Sequence, residues 1–422
     1  MNVAFFTLGC KVNHYETQAM EELFRAAGHT IVPFDAIADA YIVNTCTVTQ
    51  IGDKKSRQAI SQAHRRNPDA PVVAVGCYAE VAKDAVKDLP GVSLVLGTAG
   101  RTEIVPLVEQ TIEKHSPSPA YPAPFERHEF EELTAQHDSR TRATLKVQDG
   151  CNSFCSYCII PFARGALRSR TLESTKRELI SLAENGYREV VLTGIQLSAY
   201  GVELPDKPDL ADLITLADSV PKLERLRLGS LEPRVITDRF LAAAKSSRTL
   251  CAQFHLSLQS GSDTVLERMN RRYTTAQYRD AVARIREALP DAAITTDVIA
   301  GFVGETEAEH EETVRFVEEI GFARIHVFPY SRRKGTKADA MEGHLSRAVK
   351  EARTKELIAL GERLEEAYVE RQIGKTLDVL MEDDGTGYTR TYVRVRADAA
   401  CGETVRVKIT GRAGTTALGE IE

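Results

Sequence analysis

At 422 residues the chain is too long for one ordinary core and sets the expectation of two or three domains. With 43% hydrophobic and 27% charged residues, and neither a low-complexity tract nor a helical-repeat period, it reads as a folded enzyme rather than a tail or scaffold. A formal charge of -6 gives no whole-protein signal for nucleic acid, so any RNA contact must come from local basic patches.

The N-terminus, MNVAFFTLGC, lacks a basic start followed by a long apolar run, and no apolar stretch reaches the roughly 18 residues of a membrane span, so a cytoplasmic location without membrane contact is expected. Residues 1–114 alternate short apolar runs with helical patterns. VAFFTL (3–8), AYIVNT (40–45) and VVAV (72–75) predict buried parallel strands, with helices over about 15–27, 54–66 and 79–89. That alternation defines a doubly wound α/β domain.

Residues 115–142 are rich in Pro, Ser and charge without a sustained period, and predict a linker. From 143 to 372 the βα alternation repeats six times, with strands in ATLKVQ, EVVLTGI, RLRLGS, QFHLSLQ, ITTDVIAGF and RIHVFPY and a last helix over about 346–372. Six such units make a partial (β/α)6 barrel, whose active site belongs at the C-terminal strand ends. Residues 373–422 hold short β-rich runs between Gly and Asp turns and predict a small antiparallel β-barrel of OB-like character.

Eight cysteines in a reducing compartment read as metal ligands, catalytic groups or core thiols before disulfides. Cys10, Cys46 and Cys77 each follow a predicted strand, and in a parallel sheet those ends share the ligand-binding edge. Gly9 and Gly76, just before the first and third, allow a sharp turn or a close approach. Cys251 and Cys401 have no such companions and read as core or incidental thiols, and His14 as a helix-start or surface histidine.

The stretch CNSFCSYC brings Cys151, Cys155 and Cys158 into the loop after the first barrel strand. Structural zinc closes its shell with four ligands, and no fourth His or Cys is close in sequence. A four-iron cluster on three thiolates instead keeps one iron free of protein.

GCNSFCSYC resembles the radical S-adenosylmethionine signature. Together with the upstream three-cysteine domain it is similar to the radical S-adenosylmethionine methylthiotransferases. TLGCKVNHYET, VNTCTVT, VGCYAE, CIIPFARGALRSR, LTGIQLSAYG, SLQSGSD, DVIAGFVGETE and HVFPYS carry the resemblance across essentially the whole chain, including a C-terminal segment similar to the family's TRAM barrel. TLGCKVNHYET and CIIPFARGALRSR look most like the branch acting on N6-threonylcarbamoyladenosine at position 37 of tRNA, in the anticodon loop. The rival branches act on isopentenyladenosine in tRNA or on an aspartate of ribosomal protein S12; a metal-bearing RNA-binding module without catalysis is the non-enzyme alternative.

The resemblance implies two 4Fe-4S clusters: a radical-generating one on Cys151, Cys155 and Cys158, with S-adenosylmethionine at its open iron, and an auxiliary one on Cys10, Cys46 and Cys77 that delivers a methylthio group to C2 of the adenine. It implies a reductant such as flavodoxin or ferredoxin and a sulfur donor. Gly194, Ser230, Glu232, Gln259 and Tyr157 are the expected cofactor contacts, although the same residues suit loop caps, turns or aromatic packing. Arg164, Arg168 and Arg170 are expected at the RNA phosphates. Lys54, Lys55, Arg57, Arg65 and Arg66, and Arg332, Arg333 and Lys334, form two further basic stretches that fit either phosphate or a solvated face. In the last domain Arg390, Arg394, Arg396, Arg406, Lys408 and Arg412 would form a stripe.

Overall fold

The structure, a computed structural model, describes residues 1–114, 121–135, 141–382 and 385–422. Its first sheet contains β1 (Asn2–Thr7), β2 (Thr30–Val32), β3 (Ala40–Thr45), β4 (Val72–Gly76) and β5 (Val92–Gly97), all parallel in the order β2-β1-β3-β4-β5. β3 and β4 are buried at every position, which is why they read as unbroken apolar runs. β2 and β5 went unread. The helix expected over 79–89 is two short helices, Cys77–Val81 and Lys83–Lys87, parted at Ala82.

Strand order reverses between β1 and β3, which makes a crevice at their C-terminal ends. The helix Lys11–Ala26 starts there. It turns Met20 and Phe24 into its own sheet and Tyr15 and Ala19 into the core of the next domain, so it belongs to both.

The second domain contains six parallel strands in two halves. β6 (Arg142–Lys146), β9 (Glu189–Thr193) and β10 (Arg225–Leu228) form one, and β11 (Gln253–His255), β12 (Ala293–Ala300) and β13 (Arg324–Pro329) the other. Parallel bridges Leu226–Leu250 and Leu231–Leu256 join them into an open barrel. A two-stranded ribbon, β7 (Gln148–Asp149) with β8 (Arg168–Ser169), frames the cysteine loop.

Residues 121–135, expected as linker, are a strap fixed across the junction of these two domains; the rest of that stretch up to residue 140 lies outside the described residues. Glu131 clasps Arg101 at 2.8 Å, Arg127 pairs with Glu80 at 3.1 Å, and Leu133 and Ala135 enter the barrel core. A strap held by single anchors needs no period, so its residues look like a spacer.

β14 (Thr376–Met381), β15 (Thr386–Thr389), β16 (Arg394–Arg396), β17 (Thr404–Ala413) and β18 (Thr416–Ile421) close a barrel in the order β14-β15-β16-β18-β17. The β16–β18 pair is parallel, a departure from the expected antiparallel barrel. This domain seats on the N-terminal ends of the barrel strands. Arg227 donates to the carbonyls of Thr389 and Arg390 at 2.7 and 2.9 Å, and Arg225 to that of Tyr388 at 2.7 Å. Among the described residues no helix is long and apolar enough to cross a membrane.

Candidate active site

Cys10 and Cys46 follow β1 and β3 on either side of the switch point, and Cys77 follows β4. Cys10 is the N-cap of the helix Lys11–Ala26. Gly9 has φ 120°, and a Cβ there would lie 3.3 Å from Cys46 Cβ; Gly76 has φ 90°, and a Cβ there would lie 2.4 Å from Asn44 Oδ1. Both glycines therefore permit close approach. Asn13 fixes the arrangement by donating to the carbonyls of Leu8 and Thr45 at 2.8 and 3.1 Å.

Cys151, Cys155 and Cys158 lie in the loop between β7 and the helix Ile160–Arg164. The loop is pinned by Cys151 N–H to the Gly165 carbonyl at 3.0 Å and by Ser156, which donates its N–H to Met269 and its hydroxyl to Arg268. Arg271 donates to Cys155 Sγ at 3.3 Å and pairs with Glu232 at 3.3 Å.

Burial pushes the Cys77 thiol up to about 11 and the Cys158 thiol up to about 12, the latter with help from Cys155 and Cys151. Cys10 acts in the same direction on both Cys46 and Cys77. Each set is therefore close enough for its thiols to feel one another. Backbone N–H groups of Val48, Ser153 and Ile160 face the sulfurs of Cys46, Cys151 and Cys158 and favour their thiolates. Two sets of three neighbouring thiols, with Cys77 buried, Cys10 exposed and the others between, served by N–H donors, fit iron-sulfur clusters, which are held by thiolates and tuned by hydrogen bonds to sulfur. Among the described residues no group of three or more His, Cys, Asp or Glu is gathered as the ligands of a single metal ion are.

The arginines expected at RNA are elsewhere. Arg164, Arg168 and Arg170 are 0%, 4% and 1% exposed. Arg164 lies between the domains: it donates to Glu16 at 2.5 and 3.0 Å, to Asn13 Oδ1 at 2.8 Å, and through Nε to Cys77 Sγ at 3.2 Å. Arg101 and Lys146 reach the same Glu16 at 3.1 and 2.8 Å, while Lys146 and Arg168 reach Asp149 at 2.8 and 3.5 Å. Four cations, Arg101, Lys146, Arg164 and Arg168, thus meet three carboxylates, Glu16, Asp149 and Glu131. Of these cations, Arg164 faces the Cys77 sulfur and favours its thiolate, against the burial that raises it. Arg170 donates to the strap carbonyl of Leu133 at 2.5 Å. Arg333 is likewise buried, joining Asp53 at 2.7 Å and Thr47 Oγ1 at 2.6 Å beside Cys46. The sequence reading missed Asn13, Glu16, Arg101 and Arg271, although Asn13 and Glu16 follow Cys10 at helical spacing.

The other basic stretches stay largely at the surface. Lys54, Lys55, Arg57 and Arg65 form an exposed helix face; in the last domain Arg394, Arg396, Arg406 and Lys408 are exposed. Arg390 and Arg412 are spent on docking, against Thr249 and Glu224 carbonyls and against Glu366 and Glu370. Exposed Phe125 of the strap stacks on Phe154 of the cysteine loop at 5.8 Å, with Phe162 edge-on at 6.2 Å, an aromatic cluster the sequence did not announce.

A cavity of about 1170 Å³ opens inside the barrel and is bordered by all three domains. Cys10, Gly194 and Ser230 line it, with Lys11, Arg142, Arg227, His255, Asp297 and His326 around them. Gly194 also makes room for Gln148, whose side chain a Cβ would meet at 2.8 Å. Tyr157, Glu232 and Gln259 are not on its lining. Tyr157 packs edge-on to Phe302 at 6.3 Å, Glu232 holds Arg271, and Gln259, at φ 69°, pairs its backbone with Asp297 and Ile299. Cys251 is a core thiol; Cys401 borders the cavity.

An open parallel barrel with three thiols in its first loop is the architecture of radical S-adenosylmethionine enzymes. The radical SAM superfamily model matches residues 145–317, and that of an uncharacterized protein family, UPF0004, residues 2–97. The threonylcarbamoyladenosine tRNA methylthiotransferase MtaB of Bacillus subtilis is 41% identical, over 96% of this chain and 93% of its own length; that of Aquifex aeolicus is 39% identical, over 97% and 100%. The tRNA-2-methylthio-N(6)-dimethylallyladenosine synthase of Carboxydothermus hydrogenoformans is 32% identical, over 96% and 95%. The radical S-adenosylmethionine methyltransferase TsrM of Kitasatospora setae shares the fold, with a TM-score of 0.58 at 17% identity over 77% of this chain and 72% of its own. The chain belongs to the radical S-adenosylmethionine methylthiotransferase family. Membership implies S-adenosylmethionine and a 4Fe-4S cluster as cofactors.

Proposed function

We propose that the chain adds a methylthio group to C2 of N6-threonylcarbamoyladenosine in tRNA, with Cys151, Cys155 and Cys158 holding a radical-generating 4Fe-4S cluster and Cys10, Cys46 and Cys77 an auxiliary one. The observation that carries this reading is the cavity, which exposes Cys10 of one thiol set and Gly194 and Ser230 at the barrel strand ends to one volume. When bound, the clusters and S-adenosylmethionine supply a 5′-deoxyadenosyl radical and a methylthio group, with an electron from a reductant such as flavodoxin or ferredoxin and sulfur from a donor.

The protein's own part is positional. Arg164 and Arg333 hold the two cysteine-bearing domains together, Arg271 and Ser156 hold the cysteine loop, and the strap covers their junction. Gly194 and Ser230 offer space and a hydroxyl to the cofactor, and Tyr157, Glu232 and Gln259 support the loops around it. Lysines and arginines on the exposed helix face and on the last barrel suit tRNA phosphates, in place of the buried arginines.

The lining favours the threonylcarbamoyl branch. Gln253, Thr295, His255 and Asp297, linked to one another at 3.0 to 3.2 Å, together with His326 give the cavity a polar wall that suits a threonylcarbamoyl group better than a hydrocarbon isopentenyl group. Nucleosides of tRNA from cells lacking this chain test the reading: threonylcarbamoyladenosine should persist while its methylthio derivative disappears. Loss of methylthio-isopentenyladenosine instead would overturn the branch.

A further inference from the structure

Lys11, Arg142, Arg227 and Arg324 border the cavity, and the three arginines are paired. Arg142 pairs with Glu189 at 3.1 Å and with Glu382; Arg227 pairs with Glu189 at 2.7 Å and caps two carbonyls. Arg324 is half exposed, with Glu365 at 3.7 Å. Asp297 faces His255 at 3.2 Å.

Lys11 differs. It begins the helix that starts at Cys10, and its surface is accessible to the cavity. It lines the same cavity as Arg142, Arg227, His326 and Tyr392, of which Arg142 opens β6 and Arg227 lies in β10. Among the described residues it has neither an ion pair nor a hydrogen bond. A solvent-accessible ammonium on a cavity wall, without a carboxylate of its own, can take the anion of a ligand that enters there.

We propose that Lys11 receives the carboxylate of the substrate's threonylcarbamoyl group and thereby sets the choice between threonylcarbamoyl- and isopentenyladenosine. The proposal rests on the substrate assigned above. With the adenine edge beside Cys10, an N6 substituent runs down the cavity toward Lys11. The threonylcarbamoyl group ends in a carboxylate that pairs with the ammonium, whereas the isopentenyl group is a hydrocarbon that leaves it unpaired. Arg142 and Arg227 confine that anion without competing for it, because their own carboxylate and carbonyl partners occupy them.

The test uses the reconstituted full chain, its Lys11→Gln and Lys11→Arg variants, and tRNA bearing threonylcarbamoyladenosine either as the free acid or as its neutral methyl amide. Binding is read by fluorescence anisotropy without turnover, so a variant weakened in catalysis still gives an answer. Wild type should prefer the acid by roughly ten- to a hundredfold. K11Q should lose that preference to within about twofold and K11R should keep part of it. Full preference in K11Q, with wild type selective for the threonylcarbamoyl substrate, would overturn the role of Lys11 alone. Methylthiolation by wild type of isopentenyladenosine only would overturn the substrate assignment and this inference with it.

Discussion

Arg164, from the helix that follows the barrel's cysteine loop, donates its Nε to the sulfur of Cys77 in the N-terminal domain at 3.2 Å. The same guanidinium holds Glu16 and Asn13, so one side chain links the radical domain to a ligand of the other thiol set. Replacing it with Ala strands Glu16 among its remaining cations and should cost about 3–5 kcal/mol. Arg164→Lys keeps the charge but not the fork, and should recover only part. Thermal unfolding measures the stability, and iron per chain after reconstitution should fall toward half if the Cys77 set is the one lost.

The two thiol sets should separate in function. Cys155→Ala should abolish formation of 5′-deoxyadenosine, whereas Cys46→Ala should spare some cleavage of S-adenosylmethionine and stop sulfur insertion. Product analysis by liquid chromatography decides this, and intact sulfur transfer in Cys46→Ala would defeat the assignment.

Acid should loosen the junction. Burial alone would raise the Glu16 carboxyl, but Arg101, Arg164 and Lys146 together hold it down at about 2, from an ordinary 4.5. A depressed folded value means that its stabilisation is complete above 4.5 and is lost as pH falls toward 2, roughly 3 kcal/mol in all. Melting temperature should therefore fall more steeply below about pH 4.5 in wild type than in Glu16→Gln, which starts lower.

The strap depends on Gly165. Its φ is 73°, and a Cβ there would lie 1.8 Å from the Pro124 carbonyl oxygen. Gly165→Ala should cost at least about 2 kcal/mol and displace the strap. Gly186→Ala, at φ 91° but with nothing within 4 Å, is the control and should cost about 1 kcal/mol from backbone strain alone. Chemical denaturation of the two variants compares them directly.

The thiol sets were legible because each cysteine ends a strand or fills a dense motif, and parallel topology carries strand ends to one edge. β3 and β4 were legible for a related reason: burial on both faces leaves an unbroken apolar run. The arginines were not. A guanidinium in sequence looks like surface, and only the fold brings Glu16, Asp149 and Cys77 around Arg164. The strap failed similarly, since Phe125, Glu131 and Leu133 act as separate anchors without periodicity. Lys11 was visible as a letter beside Cys10, but its role depends on a cavity floor supplied by β6, β10 and the last barrel.

The most direct measurement is an anaerobic assay of the reconstituted chain with S-adenosylmethionine, a reductant, a sulfur source and tRNA bearing either threonylcarbamoyl- or isopentenyladenosine, read by nucleoside mass spectrometry. A methylthio product on the threonylcarbamoyl substrate alone is the predicted result. Deoxyadenosine formation with neither nucleoside changed, or a methylthio group on isopentenyladenosine alone, would contradict it.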